Sequence, residues 1–288
     1  VAGSPIGNVS DTAFWVAHYR GLEGTRANAL FQDPLAASLA GERGREIAAA
    51  MPGASFISLA VVMRTCIIDD YIRFAIAEGV DTILNLGAGL DTRPYRMDLP
   101  SSLAWIEADY PDVIAFKEER LQKESPRCRL SRVRCDLADK SQRGQVLGEA
   151  NARAKKMLVL TEGVIPYLSE DDVASLAEEL RALGRAAYWI VDYFSPLAIK
   201  SRPRAMKAKM QNAPFKFEPA DWFGFFEAHG WRRKELRYLA EEAERLKRPM
   251  QLPLWRRLIW AVWGLFLSKE RREGFQKLVG YALLEPVK

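Results

Sequence analysis

The sequence predicts an α/β fold, a mainly parallel sheet covered by helices on both faces and preceded by a helical cap. Two observations predict it. From Thr82 onward, short apolar segments with strand character alternate with helical patterns, which is how a parallel sheet with crossover helices reads. Before Thr82 only helical spacing is found. The composition agrees, because 288 residues that are 49% hydrophobic and 27% charged suffice for one large domain with a sizeable core.

In chain order, Ser10 and Asp11 offer N-caps for a helix carrying Phe14, Trp15, Ala17 and His18, and Asp33-Pro34 starts a second at Leu35. A third carries Ile68, Tyr71, Ile72, Ala75 and Ile76 at helical spacing and stops at Gly79. Strands are predicted at Thr82–Leu86 and at residues 103–108, 129–135, 157–161 and 186–192, with helices between them. The clearest of these helices opens at Ser169, with Asp172 as capping-box partner, and continues through Val173, Leu176, Ala177, Leu180 and Leu183. Beyond Pro196 the pattern loosens, then gives a helix over 221–229 and a strand over 231–239. After a break at 249–253 come an aromatic run over 255–266 and a last strand over 277–284.

Charge and cysteine content exclude several classes. The net charge is +5, but the basic residues are spread along the chain rather than gathered in a stripe, so nucleic acid is not expected as a partner. Cys66, Cys128 and Cys135 contain no CxxC pair, so neither a disulfide framework nor a metal site is indicated and a reducing cytoplasm fits. Residues 1–10 lack the basic and apolar regions of a signal peptide. The apolar run 258–267 is far shorter than the roughly 20 residues of a spanning helix. Its tryptophans at 255, 260 and 263, flanked by Arg256-Arg257 and Lys269, favour a buried helix or a pocket wall over a membrane-surface contact.

Four motifs follow strands, and ligands gather at the carboxyl edge of such a sheet. The first is Asn85-Leu86-Gly87-Ala88-Gly89-Leu90-Asp91-Thr92-Arg93, a glycine turn that lets backbone approach a ligand. Thr92 stands where a dinucleotide fingerprint has its third glycine, which counts against a pyrophosphate cradle. The second is Glu107 and Asp109, which follow Gly89 by 18 and 20 residues; such a carboxylate accepts both hydroxyls of a ribose. Asp109, followed by Tyr110, is nearer the ligand edge. The third is Asp136-Leu137, suited to an adenine amine and ring, although Asp136 also reads as a helix N-cap. The fourth is Glu162-Gly163, a carboxylate that needs a cation at a buried strand end, whether from a ligand or from a structural ion pair.

The order of these motifs resembles the leucine carboxyl methyltransferase family, including its bacterial O-methyltransferases of polyketide-type metabolites. The resemblance rests on residues 10–13, 31–36, Arg64-Thr65 with Ile68-Asp69-Asp70, 85–96, and Glu162-Gly163 with Tyr167-Leu168. It implies a class I methyltransferase fold, Rossmann-like, with a mainly parallel seven-stranded sheet and S-adenosyl-L-methionine as cofactor, leaving S-adenosyl-L-homocysteine. Carried over, Arg64 pairs the cofactor's carboxylate, Gly87 approaches its methionyl part and Asp109 holds the ribose, with Ala88, Gly89 and Tyr110 among the residues that border the cofactor. Asp136 and Leu137 then bind adenine, and Glu162 with Gly163 faces the methionyl amine. The chain departs from the family at Val164-Ile165-Pro166 and in its unusually aromatic run, both where an acceptor docks.

The single domain over 1–288 accordingly divides into a helical cap (1–80), a cofactor-binding core (81–195) and remaining strands with an acceptor-side cap (196–288). Methyl transfer from a sulfonium needs chiefly an aligned nucleophile. A carboxylate of a small molecule or peptide C-terminus needs no base; a hydroxyl does, and the histidines are few. Tyr167 and Tyr193 are candidates to orient the acceptor and His18 to act as base, each with packing as its structural alternative. The competing functions are an NAD-dependent oxidoreductase and a catalytically silent cofactor-binding module.

Overall fold

The computed structural model describes residues 5–248, 274 and 276–287. The break at 249–253 and the aromatic run at 255–266 lie outside the described residues.

The chain opens with α1 (Asp11–Gly24), α2 (Pro34–Ala50) and α3 (Ala54–Ala77). Ser10 stands at the N-cap of α1 without a side-chain cap bond; Asp11 instead accepts from the Gly7 N–H and pairs with Arg43 at 2.7 Å. Asp33 does cap α2, accepting from the Ala36 N–H at 3.0 Å ahead of Pro34. The two helices are in close contact at Gly21, where a Cβ would lie 2.7 Å from the Ala37 Cα. α3 begins earlier than its clearest periodicity, because Ile57 and Val61 already pack with Ile6, Ile47 and Met51.

The sheet follows: β1 (Thr82–Leu86), β2 (Ala104–Asp109), β3 (Arg129–Arg134), β4 (Met157–Leu160), β5 (Ala186–Phe194), β6 (Trp231–Tyr238) and β7 (Val279–Pro286). Its order is β3-β2-β1-β4-β5-β7-β6, parallel throughout β1 to β5, with β7 antiparallel to both β5 and β6. β5 runs two residues past its predicted end because Tyr193 and Phe194 find partners in Gly280 and Val279 of β7. Between strands lie α4 (Arg93–Arg96), α5 (Pro111–Leu121), α6 (Lys140–Arg153), a 3-10 turn (Ile165–Tyr167), α7 (Glu170–Ala182), α8 (Pro196–Lys200), α9 (Arg204–Lys209), α10 (Trp222–Ala228) and α11 (Leu239–Arg245). Ser169 caps α7, accepting from the Asp172 N–H and donating its hydroxyl to the Asp172 carboxylate at 2.6 Å.

Alternation along the strands builds two cores. Leu84, Val159, Trp189 and Val191 meet α6, α7 and α10 on one face, while Ile83, Leu158, Ile190 and Leu283 meet α3 and α11 on the other. This leaves the carboxyl ends of β1, β2, β4 and β5 as the edge over which α1 and α2 close.

Candidate functional site

Three segments converge at this edge. The turn after β1 is drawn under β2 by the Gly87 and Ala88 N–H groups, which donate to the Ala108 carbonyl at 2.8 and 3.2 Å. Gly87 has φ 68°, and a Cβ there would stand 2.3 Å from Val164 Cγ2, with Leu137 Cδ1 at 3.8 Å. The Gly89 N–H donates to Asp109 Oδ2 at 2.6 Å, and the Tyr110 N–H to Asp109 Oδ1 at 2.7 Å. Asp109 thus accepts from amides and has no ion-pair partner among the described residues, and burial raises its pKa above the ordinary carboxylate value. Glu107 faces inward with it but is fully buried against Lys117 at 2.8 Å and Arg132 at 2.9 Å, a structural ion pair.

Beside the turn runs a string of buried ion pairs. Arg20 meets Asp33 at 3.0 Å, Arg96 meets Asp69 at 2.7 Å, and Arg93 meets Asp69, Asp91 and Glu162 at 2.7, 3.0 and 2.7 Å. Glu162 also takes Arg64 Nε at 2.7 Å, so one carboxylate lies between two guanidinium groups. Burial alone would push the carboxylates up, yet these arginines hold Asp69, Asp91 and Glu162 below their usual range. Asp33 caps α2, bonds the Thr92 hydroxyl at 2.6 Å and pairs with Arg20, whose other arm reaches the Leu90 carbonyl. The cap is thereby fastened to the glycine turn.

Residues 13–181 match the family model of leucine carboxyl methyltransferase. The chain belongs to that family. A relative from Frankia alni, named an S-adenosyl-L-methionine-dependent methyltransferase, is 30% identical and covers 84% of this chain and 88% of its own length. One of the same name from Streptomyces avermitilis is 31% identical, over 84% of this chain and 89% of the relative. Among solved structures, a methyltransferase from Thermobifida fusca superposes with TM-score 0.55 at 14% identity, covering 95% of this chain and 94% of that one. A DUF574 family protein from Streptomyces avermitilis gives 0.56 at 13% identity, covering 94% and 96%. The seven-stranded fold is therefore that of class I methyltransferases.

S-adenosylmethionine, the donor implied by such membership, suits the donor set present. Arg93 Nη2 and Asn85 Oδ1 are buried with no hydrogen-bond partner among the described residues, and the Gly87 turn leaves room that a Cβ would fill. Asp109 offers carboxylate lone pairs toward hydroxyl donors. The Asp136 carboxylate accepts from the Ala138 N–H at 2.9 Å and faces the Tyr110 hydroxyl, while Asp139 rather than Asp136 caps α6. Leu137 lies against Gly87, and Gly163 is beside Arg64, whose Nη1 would stand 3.6 Å from a Cβ there.

The three acceptor-side candidates separate. Tyr167 faces Thr12, Asp192 and Arg64, and its ring meets Phe215 edge-on at 5.3 Å; burial pushes its phenol up to about 12. Tyr193 is not brought to this cluster. Alternation along β5 turns it to the opposite face from Asp192, among Trp222, Phe223 and Tyr238. His18 sits in the seam of α1 and α2 against Tyr19 and Gly44, and burial with the nearby Arg45 lowers its pKa.

Sequence reasoning missed Arg93, Asp91 and Asp69 as individuals, although each stood inside a matching motif. It missed Asp192 as well. A single charge in the apolar stretch Tyr188-Trp189-Ile190-Val191-Asp192 was the available signal, since a buried charge in a strand needs a partner. It also passed over residues 196–217, which carry Lys200, Arg202, Arg204, Lys207, Lys209 and Lys216 and no acid, although Arg202 pairs with Glu218 just beyond the segment. This basic segment adjoins Tyr167: the Lys216 N–H donates to the Pro166 carbonyl at 2.7 Å, and Met206 and Met210 pack in the same cluster as Tyr167.

Proposed function

We propose that this chain is an S-adenosylmethionine-dependent O-methyltransferase whose acceptor is a carboxylate oxygen of a small molecule or peptide C-terminus. When bound, the sulfonium donor supplies an electrophilic methyl group. Arg64 then holds the donor's carboxylate, Glu162 with Gly163 its ammonium, and Asp109 its ribose hydroxyls. Asp136, Leu137 and Tyr110 enclose adenine, and the Gly87-Ala88-Gly89 backbone borders the methionyl part. Because Arg64 and Glu162 already form a pair, a zwitterionic amino-acid group replaces each partner in turn and leaves neither buried charge uncompensated.

The observation that carries the choice of acceptor is that no histidine stands at the described site, while Asp192, the carboxylate there raised to about 6, is held by the Gly163 N–H and the Tyr281 hydroxyl. The Tyr167 phenol is held protonated by burial, and His18 lies in the α1–α2 seam. An ionised carboxylate needs only alignment to attack, whereas a hydroxyl, the second choice, needs its proton removed. The basic segment 196–217 beside Tyr167 favours an anionic acceptor by steering it. Tyr167 orients the acceptor, and Asp192 is engaged by the Gly163 N–H at 2.9 Å and by the Tyr281 hydroxyl.

The test uses S-adenosylmethionine labelled in its methyl group and a panel of carboxylic acids and peptides. Label that alkali releases as volatile methanol identifies a methyl ester and supports the reading. Label that stays non-volatile after alkali identifies an ether and overturns it in favour of the hydroxyl.

A further inference from the structure

The buried charges at this edge leave one carboxylate over. Along the ion-pair string Arg20, Arg64, Arg93 and Arg96 are matched by Asp33, Asp69, Asp91 and Glu162. Beneath the ribose side Lys117 and Arg132 both pair with Glu107, and Asp109, held by the Gly89 and Tyr110 N–H groups, also feels the positive charge of Lys117, so two cations stand against two carboxylates. Asp192 is the extra anion. It is 3% exposed, and among the described residues it has no ion-pair partner within 4.0 Å. Its hydrogen bonds come from neutral groups, the Gly163 N–H at 2.9 Å and the Tyr281 hydroxyl. The titratable groups facing it are Arg64 from α3, Glu162 from the loop after β4, Tyr167 from the 3-10 turn and Tyr281 from β7. Arg64 is already committed to Glu162.

A buried carboxylate with only neutral partners is costly until a cation joins it. The amino-acid end of S-adenosylmethionine is a zwitterion and leaves the count unchanged, but its sulfonium adds one positive charge that S-adenosylhomocysteine lacks. We propose that Asp192 is the counter-charge for the donor's sulfonium, so that the site tells donor from product by charge. The inference rests on S-adenosylmethionine as donor and not on which oxygen accepts the methyl group. Burial, reinforced by Glu162 and opposed by Arg64 and the two hydrogen bonds, raises the free carboxyl to a pKa of about 6. Below that pH the carboxyl holds its proton and suits the neutral thioether; above it the ionised form favours the sulfonium.

Calorimetry of both ligands on the whole protein tests this, with wild type and Asp192→Asn, which keeps an oxygen acceptor for the Gly163 N–H. For wild type the preference for S-adenosylmethionine over S-adenosylhomocysteine rises about tenfold from about pH 5 to about pH 7. At about pH 6 the donor, and not the product, releases a proton on binding, read as a buffer-dependent heat. In Asp192→Asn the preference is independent of pH and shifted toward the product. A flat wild-type preference, or an Asp192→Asn loss equal for both ligands, overturns the proposal. Should the variant not fold, equal proton release with both ligands in wild type overturns it alone.

Discussion

Glu162 lies between Arg64 and Arg93 at 2.7 Å from each, so its two neighbours have separable effects. Arg64→Ala leaves Glu162 paired with Arg93 but also withdraws the cation that faces Asp192 and a hydrogen bond to Tyr281. Affinity for S-adenosylhomocysteine should fall by about 2 to 3 kcal/mol, and the melting temperature should fall as well because a buried charge loses a partner. Undiminished affinity would remove Arg64 from the binding set. Asp109→Ala should weaken the same ligand by about 1.5 to 3 kcal/mol through lost charge-assisted hydrogen bonds. The pH dependence of stability has two opposed parts. Asp69, Asp91 and Glu162 have pKa values depressed by folding, so their contribution is complete above the ordinary carboxylate range and disappears as pH falls through it and below. Asp192 is raised from 3.8 to about 6, so what its protonated form contributes at low pH is lost as pH rises between those values. Without ligand, Asp192→Asn should therefore be more stable than wild type at neutral pH by about 1 to 3 kcal/mol, and the difference should vanish near the unfolded value. Denaturant titration at both pH values checks this, and a variant less stable than wild type at neutral pH would contradict it.

Among the elements, α2 links local capping to the site, because Asp33 serves the helix, Arg20 and Thr92 together. Asp33→Ala loses a cap and leaves a buried guanidinium short of its partner, a destabilisation of about 3 to 5 kcal/mol in which the charge dominates. Asp33→Asn preserves the cap and should recover about 1 kcal/mol. Equal melting temperatures for Asp33→Ala and wild type would show that the cap is not fastened through this residue. The strands and long helices were legible because apolar periodicity and caps are local; Asp33-Pro34 and Ser169 with Asp172 act as read. The short α8 and α9 were not, since five or six residues carry no period and their starts are set by Ser195-Pro196 and Pro203. Nor was the ion-pair string, because Arg93 and Glu162 are 69 positions apart and only the sheet order makes them neighbours. Tyr193 read as well as Tyr167 in one dimension, and strand alternation decides between them.

For the molecule as a whole, the two cores fix the sheet and the cap closes over its carboxyl edge, where the four motifs that follow strands meet. The glycine-turn spacing alone left NAD open; membership in the leucine carboxyl methyltransferase family and the absent third glycine argue for S-adenosylmethionine instead. Among the described residues no helix is long and apolar enough to cross a membrane. The most direct test is a crystal structure of the protein with S-adenosylhomocysteine. The account predicts Arg64 on the ligand's carboxylate, Glu162 on its amine and Asp109 on its ribose; Arg64 turned to bulk solvent with Glu162 still bound only to arginine would contradict it.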